Sequence, residues 1–438
     1  MLKGAYAMGK FPKGFLVGAA TAAHQVEGNN TNNDCWAQEQ MKYSSYLEPS
    51  LDAVDHYNRF EEDIRLLAEA GLNAYRFSIE WARIEPQEGV FDDSEIEHYR
   101  SVIECCKNYG VEPVVTLHHF SSPVWMIKKG GWEAQTAPED FAKYVRYVIM
   151  RLGKELKYIC TINEANMGIQ VAAIAKRYMH QAMDMAKKAA GGDSSVQMGM
   201  NFEKMIKGRE LAAKENLEIF GTETPQSFTN PRTPEGDIIV MKAHQAAKAV
   251  IKELYPDIQV GLTLSLHDLQ PVSGGEAVAE KEWAEEFTHY LPYIKDDDFL
   301  GVQNYARTLV SAEGDLPAPD GAELTQMGYE FYPEALENVI RTVAKDFRGD
   351  IIVTENGAAV SDDTRRVEFI RRATDGVASC INDGLPVKGY FCWSLLDNFE
   401  WQKGFAMTFG LIAVDRKNGQ KRIPKPSLKF LGEIALGR

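Results

Sequence analysis

Short apolar runs rich in β-branched and aromatic residues alternate along this chain with stretches whose apolar positions recur every three or four residues. Eight runs of the first kind are bounded by turn signals: residues 15–21, 73–81, 113–119, 158–165, 260–266, 299–306, 350–357 and 388–397. Helical periodicity fills most of the gaps. It is clearest over 56–70, where Tyr57, Phe60, Ile64 and Leu67 share one face, and over 94–109, 138–152 and 237–255. Regular alternation of strand and helix predicts a parallel sheet, and eight repeats predict that it closes into an α/β architecture, a (β/α)8 TIM barrel; a doubly wound open sheet is the alternative. No Pro/Gly/Ser-rich linker separates two cores, so residues 1–438 are expected to form a single catalytic domain with long βα loops.

Several of the strand-like runs finish in groups that a core strand does not need: Glu80-Trp81, His118-His119, Asn163-Glu164, Asn304-Tyr305, Glu355-Asn356 and Trp393. In a barrel of this kind the C-terminal strand ends share one face, where chemistry is located, so these scattered positions are expected to converge. The stretch 167–236 is the least regular. It carries Met179, Met183, Met185, Met198, Met200 and Met205 ahead of a polar segment, QSFTNPRTPEGD. Following the fourth strand, it is expected to sit on the active face as one wall of a pocket, although methionines at such spacing also simply pack a helix.

Charge narrows the partners. With 48 Lys and Arg against 63 Asp and Glu the formal charge is −15, which repels phosphate backbones and anionic lipid. The densest cationic stretch, 416–425, is interrupted by Asn418, Gly419 and Pro424. Neither nucleic acid nor a membrane is an expected partner, and no uninterrupted apolar run approaches the ~18 residues of a membrane span. Cys35, Cys105, Cys106, Cys160, Cys380 and Cys392 show no C-x-x-C spacing, and the start, MLKGAYAMGKFPKGF, lacks an apolar signal core. A reducing cytoplasm is the expected location, where the sequon at Asn29 carries no glycan.

Two glutamates stand in matching settings, Glu164 in CTINEA and Glu355 in IIVTENG, each ending an apolar run and each beside an asparagine. One such glutamate is most simply a helix cap or a surface acid. Two across one barrel mouth are what glycosidic cleavage requires, one protonated to serve the leaving oxygen and one ionised to meet the oxocarbenium ion. His118 and His119 do not suggest a metal site, because neighbours on a strand face opposite ways and no Cys/His cluster lies near them. No metal or other cofactor is expected.

The ordered segments FLVGAATAAHQVEG, AYRFSIEWARIEP, TLHHF with SSPVWM, TINEA, FLGVQNYAR, VTENG and GYFCWSLLDNFEWQKGFAMTFGLIAVD run from Phe15 to Asp415 and resemble a β-glycosidase of glycoside hydrolase family 1. The resemblance implies that Glu164 is the acid/base and Glu355 the nucleophile of a retaining reaction, whose carboxyls stand ~5–5.5 Å apart. It further implies that Arg76 and Tyr305 support the nucleophile. Gln25, His119, Asn163, Glu400 and Trp401 would bind the sugar, with Trp393 as a platform beneath the ring. The implied activity is exo-acting hydrolysis of terminal β-D-glucosyl residues from small glycosides, with galactosyl and fucosyl as further candidates.

Where members acting on phosphorylated sugars carry a serine and a nearby Lys/Tyr, this chain reads DNFEWQKGF; Glu400 repels a 6-phosphate, with Lys403 close in sequence. A 6-phospho-β-glycosidase, a catalytically silent sugar-binding relative and a transglycosidase are the alternatives. The chain departs from the family pattern at Gln303-Asn304-Tyr305, where Asn-Tyr-Tyr is usual, at Phe120-Ser121 after His119, where Trp-Asp is usual, and at Ala165, where proline follows the acid/base.

Overall fold

The structure, a computed structural model, describes residues 11–175 and 202–438. Nine strand segments form one parallel sheet: β1 (Leu16–Ala20), β2 (Ala74–Ser78), β3 (Glu112–Thr116), β4 (Tyr158–Cys160), β5 (Gln259–Gly261), β6 (Thr263–Ser265), β7 (Phe299–Gln303), β8 (Asp350–Asn356) and β9 (Val387–Trp393). β1 pairs with both β2 and β9, so first and last barrel strands adjoin. The fifth predicted strand is broken at Leu262: β5 pairs with β4 and β6 pairs with β7. One interrupted run therefore joins the two ends of the sheet into a barrel.

Around it lie α1 (His56–Ala70), α2 (Asp93–Asn108), α3 (Ala137–Leu152), α4 (Phe202–Phe220), α5 (Pro234–Leu254), α6 (Glu276–Glu286), α7 (Ala335–Asp346), α8 (Asp363–Asn382) and α9 (Pro426–Ala435). Three of their starts carry side-chain caps. Asp92 and Asp362 accept from the Ser94 and Thr364 amides, and Thr233 accepts from Gly236 ahead of a first-turn proline.

Strand alternation divides the apolar side chains into two layers. Leu16, Ala74, Val114, Phe299, Ile352 and Phe391 fill the barrel interior. Val17, Tyr75, Val115, Ile159, Leu300 and Tyr390 pack outward with helix residues such as Ile64, Leu67, Val145 and Ile340. The predicted strands overrun the ladders at their C-terminal ends: residues 161–165 are buried but unpaired as strand, because what buries them is the site above the barrel. Met179, Met183, Met185, Met198 and Met200 lie outside the described residues, as does the side chain of Met205. Among the described residues no helix is long and apolar enough to cross a membrane.

β8 carries a local irregularity with a functional consequence. Counting outward from Ile352, which faces the interior, strict alternation sends Glu355 away from the barrel axis and Asn356 toward it. The register of β8 shifts after Val353 against both neighbours. A bulge of this kind re-aims side chains. Asn356 accordingly turns outward, accepting from the Tyr390 hydroxyl at 3.0 Å and donating to the Asn304 carbonyl at 2.7 Å, while Glu355 faces the cavity.

Candidate active site

At the C-terminal ends of the strands, a cavity of about 280 Å³ is lined by Gln25, His119, Phe120, Glu164, Tyr305, Glu355, Trp393, Glu400, Trp401 and Phe409. Eight of these were expected from the sequence. Arg76 and Asn163, the other two, stand directly behind and bond into the wall. Phe120 and Phe409 are additional apolar faces.

Glu355 is held from both sides. Arg76 on β2, with no exposed surface, donates from Nη1 to Glu355 Oε1 at 2.6 Å, and the Tyr305 hydroxyl donates to Oε2 at 2.5 Å. The same guanidinium donates from Nε to Thr116 Oγ1 at 3.1 Å and from Nη2 to Asn163 Oδ1 at 2.6 Å. Its planar fork thus fixes the carboxylate and the asparagine together, which a lysine could not do.

That geometry settles the orientation of Asn163. Its Oδ1 also accepts from Thr263 Oγ1 at 3.1 Å and Gln303 Nε2 at 2.8 Å, so three donors crowd one oxygen. The amide nitrogen must therefore be the end that donates to His119 Nε2 at 3.2 Å, which leaves the His119 proton on Nδ1. Burial, Arg76 and His118 push His119 well below the usual histidine range, so the ring is neutral. Gln303, longer than the asparagine usual in its place, is the residue whose amide reaches across to Asn163.

Gln25 sits on a helical turn (Ala23–Val26) after β1 and donates from Nε2 to the Phe399 carbonyl at 2.8 Å, to Asn398 Oδ1 at 3.2 Å and to Glu400 Oε2 at 3.3 Å. Its Oε1 is buried with no partner among the described residues, as is His119 Nδ1. Buried polar atoms left unsatisfied are rare, and here one acceptor and one donor belong to residues lining one cavity. Trp393, the last residue of β9, stacks with His119 at 5.8 Å, and Trp401 stacks with His119 at 6.2 Å. Gly357 admits this arrangement, since a Cβ there would lie 2.0 Å from the Trp393 carbonyl oxygen. His118 faces elsewhere, against Ser122 at 3.0 Å and the Trp132 ring at 4.6 Å.

Glu164 is treated differently. Its carboxyl accepts no hydrogen bond among the described residues, while its amide donates to Thr263 Oγ1 at 2.8 Å. Its backbone is left-handed, with φ of 42°, and Phe120 and Trp401 share this rare conformation at 70° and 46°. Such strain in non-glycine residues costs ~1–3 kcal/mol each and collects at sites whose surroundings enforce it.

The two carboxyls have opposite electrostatic support. Burial pushes Glu164 well above the usual carboxylate range; the negative charges of Glu355 and then Glu400 add to this, and only Arg76 opposes. Burial also pushes Glu355 up, but Arg76 and hydrogen bonds from Tyr305, Arg76 and Gln303 favour its ionised form. Of the pair, Glu355 is the one that ionises and Glu164 the one that keeps the proton.

Tyr329 carries no mark in the sequence. It lies in the loop beyond a small sheet formed by Asp268–Pro271, Arg307–Ser311 and Gly314–Leu316, belongs to the buried cluster that holds Tyr305 and Phe409, and burial together with the charges of Glu400 and Glu164 raises its phenol well above the ordinary value. A tyrosine in a polar loop offers no periodicity that marks it. The polar segment of the 167–236 excursion does reach the site: Phe228 packs against Phe120 at 5.9 Å and against His118 at 4.7 Å.

The model of glycosyl hydrolase family 1 matches residues 7–188 and 287–437. A beta-glucosidase of Agrobacterium sp. (strain ATCC 21400) is 29% identical, over 98% of this chain and 96% of its own length. A 1,4-beta-D-glucan glucohydrolase of Thermotoga neapolitana (strain ATCC 49049) is 30% identical, over 96% of this chain and 97% of its own length. The crystal structure of beta-glycosidase BGL167 superposes with a TM-score of 0.86 at 43% identity, covering 97% of each chain.

Proposed function

The chain belongs to glycosyl hydrolase family 1, and from that membership we propose the division of labour in its site: Glu355 is the nucleophile and Glu164 the acid/base of a retaining, exo-acting β-glucosidase. The observation that carries this reading is the asymmetry between two carboxyls lining one cavity, one gripped by a guanidinium and a phenol, the other buried without a hydrogen-bonding partner among the described residues.

In the first step Glu355 attacks the anomeric carbon while Glu164 gives its proton to the departing oxygen. Forming the glycosyl ester consumes the charge on Glu355. The largest charge raising the affinity of Glu164 for a proton is then gone, so Glu164 becomes the base that takes a proton from the incoming water. The Tyr305 hydroxyl then no longer faces a charged oxygen, and Arg76 remains with Asn163. The Asn163 amide nitrogen is disposed to donate to the sugar 2-hydroxyl, a contact whose tightening in the transition state lowers the barrier. Gln25 Oε1, His119 Nδ1 and Glu400 supply further polar partners, and Trp393 supplies an apolar face.

The substrate is an unphosphorylated β-glycoside. Three glutamates and no lysine or arginine line the cavity among the described residues, and a phosphate dianion would meet repulsion there. The whole chain acts as one catalytic domain, and the six buried cysteine thiols support a reducing cytoplasmic location. Following hydrolysis of an aryl β-glucoside by NMR tests the reading: β-glucose should be the first anomer released, and α-glucose first would exclude double displacement. The same substrate bearing a 6-phosphate should be cleaved far more slowly.

A further inference from the structure

The aim of Glu164 is set by its backbone, because its carboxyl has no hydrogen-bonding partner among the described residues to steer it. The strained turn it occupies is held on several sides. The Ala165 amide donates to the Thr263 carbonyl at 3.0 Å, a bond that the family's usual proline could not make. Asn166 locks onto Ser265, accepting from its amide at 3.0 Å and donating to its carbonyl at 2.7 Å. The Ala165 carbonyl, in the second peptide group after Glu164, accepts from Arg232 Nη1 at 2.8 Å.

Arg232 is built for that contact. It is 5% exposed, its Nη2 donates to the Phe228 carbonyl at 2.9 Å, its guanidinium lies 4.5 Å from the Phe228 ring centre, and its own amide donates to the Gly168 carbonyl at 3.0 Å. Asp237 pairs with it at 3.3 Å and is itself fixed by the Tyr290 hydroxyl at 3.1 Å and His289 Nε2 at 2.9 Å. Gly168 leaves room for the guanidinium, since a Cβ there would approach it within 2.7 Å. Both Arg232 and Phe228 lie between the two stretches matched by the family model, so the clamp is supplied by a part of the chain that the family pattern does not cover. Buried ion pairs add little net stability compared with well-packed apolar residues, which leaves the hold on Ala165 as the better account of a guanidinium at this place.

We propose that Arg232 is a positioning residue for the acid/base: by fixing the Ala165–Asn166 peptide, the second after Glu164, it holds the strained turn so that the unsupported carboxyl stays aimed at the leaving-group oxygen. This rests on the assignment of Glu164 above. The test uses Arg232→Met and Arg232→Lys in the full-length enzyme, with Glu164→Ala assayed in parallel. A misplaced acid slows only steps that need its proton. For Arg232→Met, kcat/KM on methyl β-glucoside should fall roughly 10- to 100-fold, and on 2,4-dinitrophenyl β-glucoside, whose leaving group needs no proton, by less than about threefold. Arg232→Lys, which keeps the charge and one donor, should recover part of the loss on methyl β-glucoside. Equal losses on the two substrates in a folded variant, no loss on either, or failure of both variants to fold would overturn the proposal and leave Arg232 a structural residue. A steep leaving-group dependence in Glu164→Ala with a flat one in Arg232→Met removes Arg232 alone; a flat response in Glu164→Ala removes the acid assignment itself, and the proposal with it.

Discussion

The ground beneath Glu355 and the ground beneath Glu164 are built on different principles. Glu355 stands near the end of a strand, past its register shift, and is seized by side chains from two other barrel positions, so its charge is stabilised where it stands. Glu164 stands on a left-handed turn beyond the end of β4, and the structure spends its hydrogen bonds on the peptide groups around it rather than on its carboxyl. The difference fits what each must do. A nucleophile needs one stable ionisation state and one direction of attack. An acid that later serves as a base needs a proton affinity free to move, and any strong donor on its carboxyl would pin it in the ionised form.

Removing each carboxyl should produce the largest separation. Glu355→Gly should cost roughly 10⁴-fold or more in kcat on every β-glucoside regardless of leaving group. Added azide should restore part of the activity and yield the α-glucosyl azide; a folded variant that azide cannot rescue would take the nucleophile role from Glu355. Glu164→Ala should be selective instead, losing ~10²- to 10⁴-fold on alkyl glucosides while activated aryl glucosides are still attacked, and azide here should give the β-product.

The supports come next. Tyr305→Phe deletes a hydrogen bond to a charged group, worth ~1.5–3 kcal/mol, so a roughly 10- to 100-fold loss is expected. With one donor gone, the ionised form of Glu355 is less favoured and its proton is held more tightly. The acidic limb of the kcat/KM profile should therefore move to higher pH; an unmoved limb would mean that the phenol does not sense the charge. The smallest shift belongs to Glu400→Gln. It removes a negative charge that raises Glu164, so Glu164 should lose its proton more readily and the basic limb should move to lower pH, apart from the loss in sugar binding. A basic limb that stays in place would separate Glu400 electrostatically from the acid.

Much of this was legible in the chain because hydrophobic runs mark barrel strands and each glutamate closes one of them. What escaped did so for physical reasons. Burial is the signal that sequence patterns report, and residues 161–165 are buried by the site without belonging to a ladder, so the apolar pattern of the fourth strand runs past its ladder. The break at Leu262 is hidden for the opposite reason: residues 260–265 on both sides of it are buried and apolar or small. The reversal of Glu355 and Asn356 depends on a register shift that no local preference encodes. Arg232 and Tyr329 lie in irregular polar segments whose approach to Ala165 and to the cavity is decided by tertiary packing.

The claim on which everything else depends is that Glu355 becomes covalently glycosylated. Incubation with a 2-deoxy-2-fluoro-β-glucosyl fluoride, followed by proteolysis and mass spectrometry, measures it directly. A single fluoroglucosyl adduct on the peptide containing Glu355, released as turnover resumes, is the expected result. An adduct on the peptide containing Glu164, or inactivation with no adduct on either, would contradict the account.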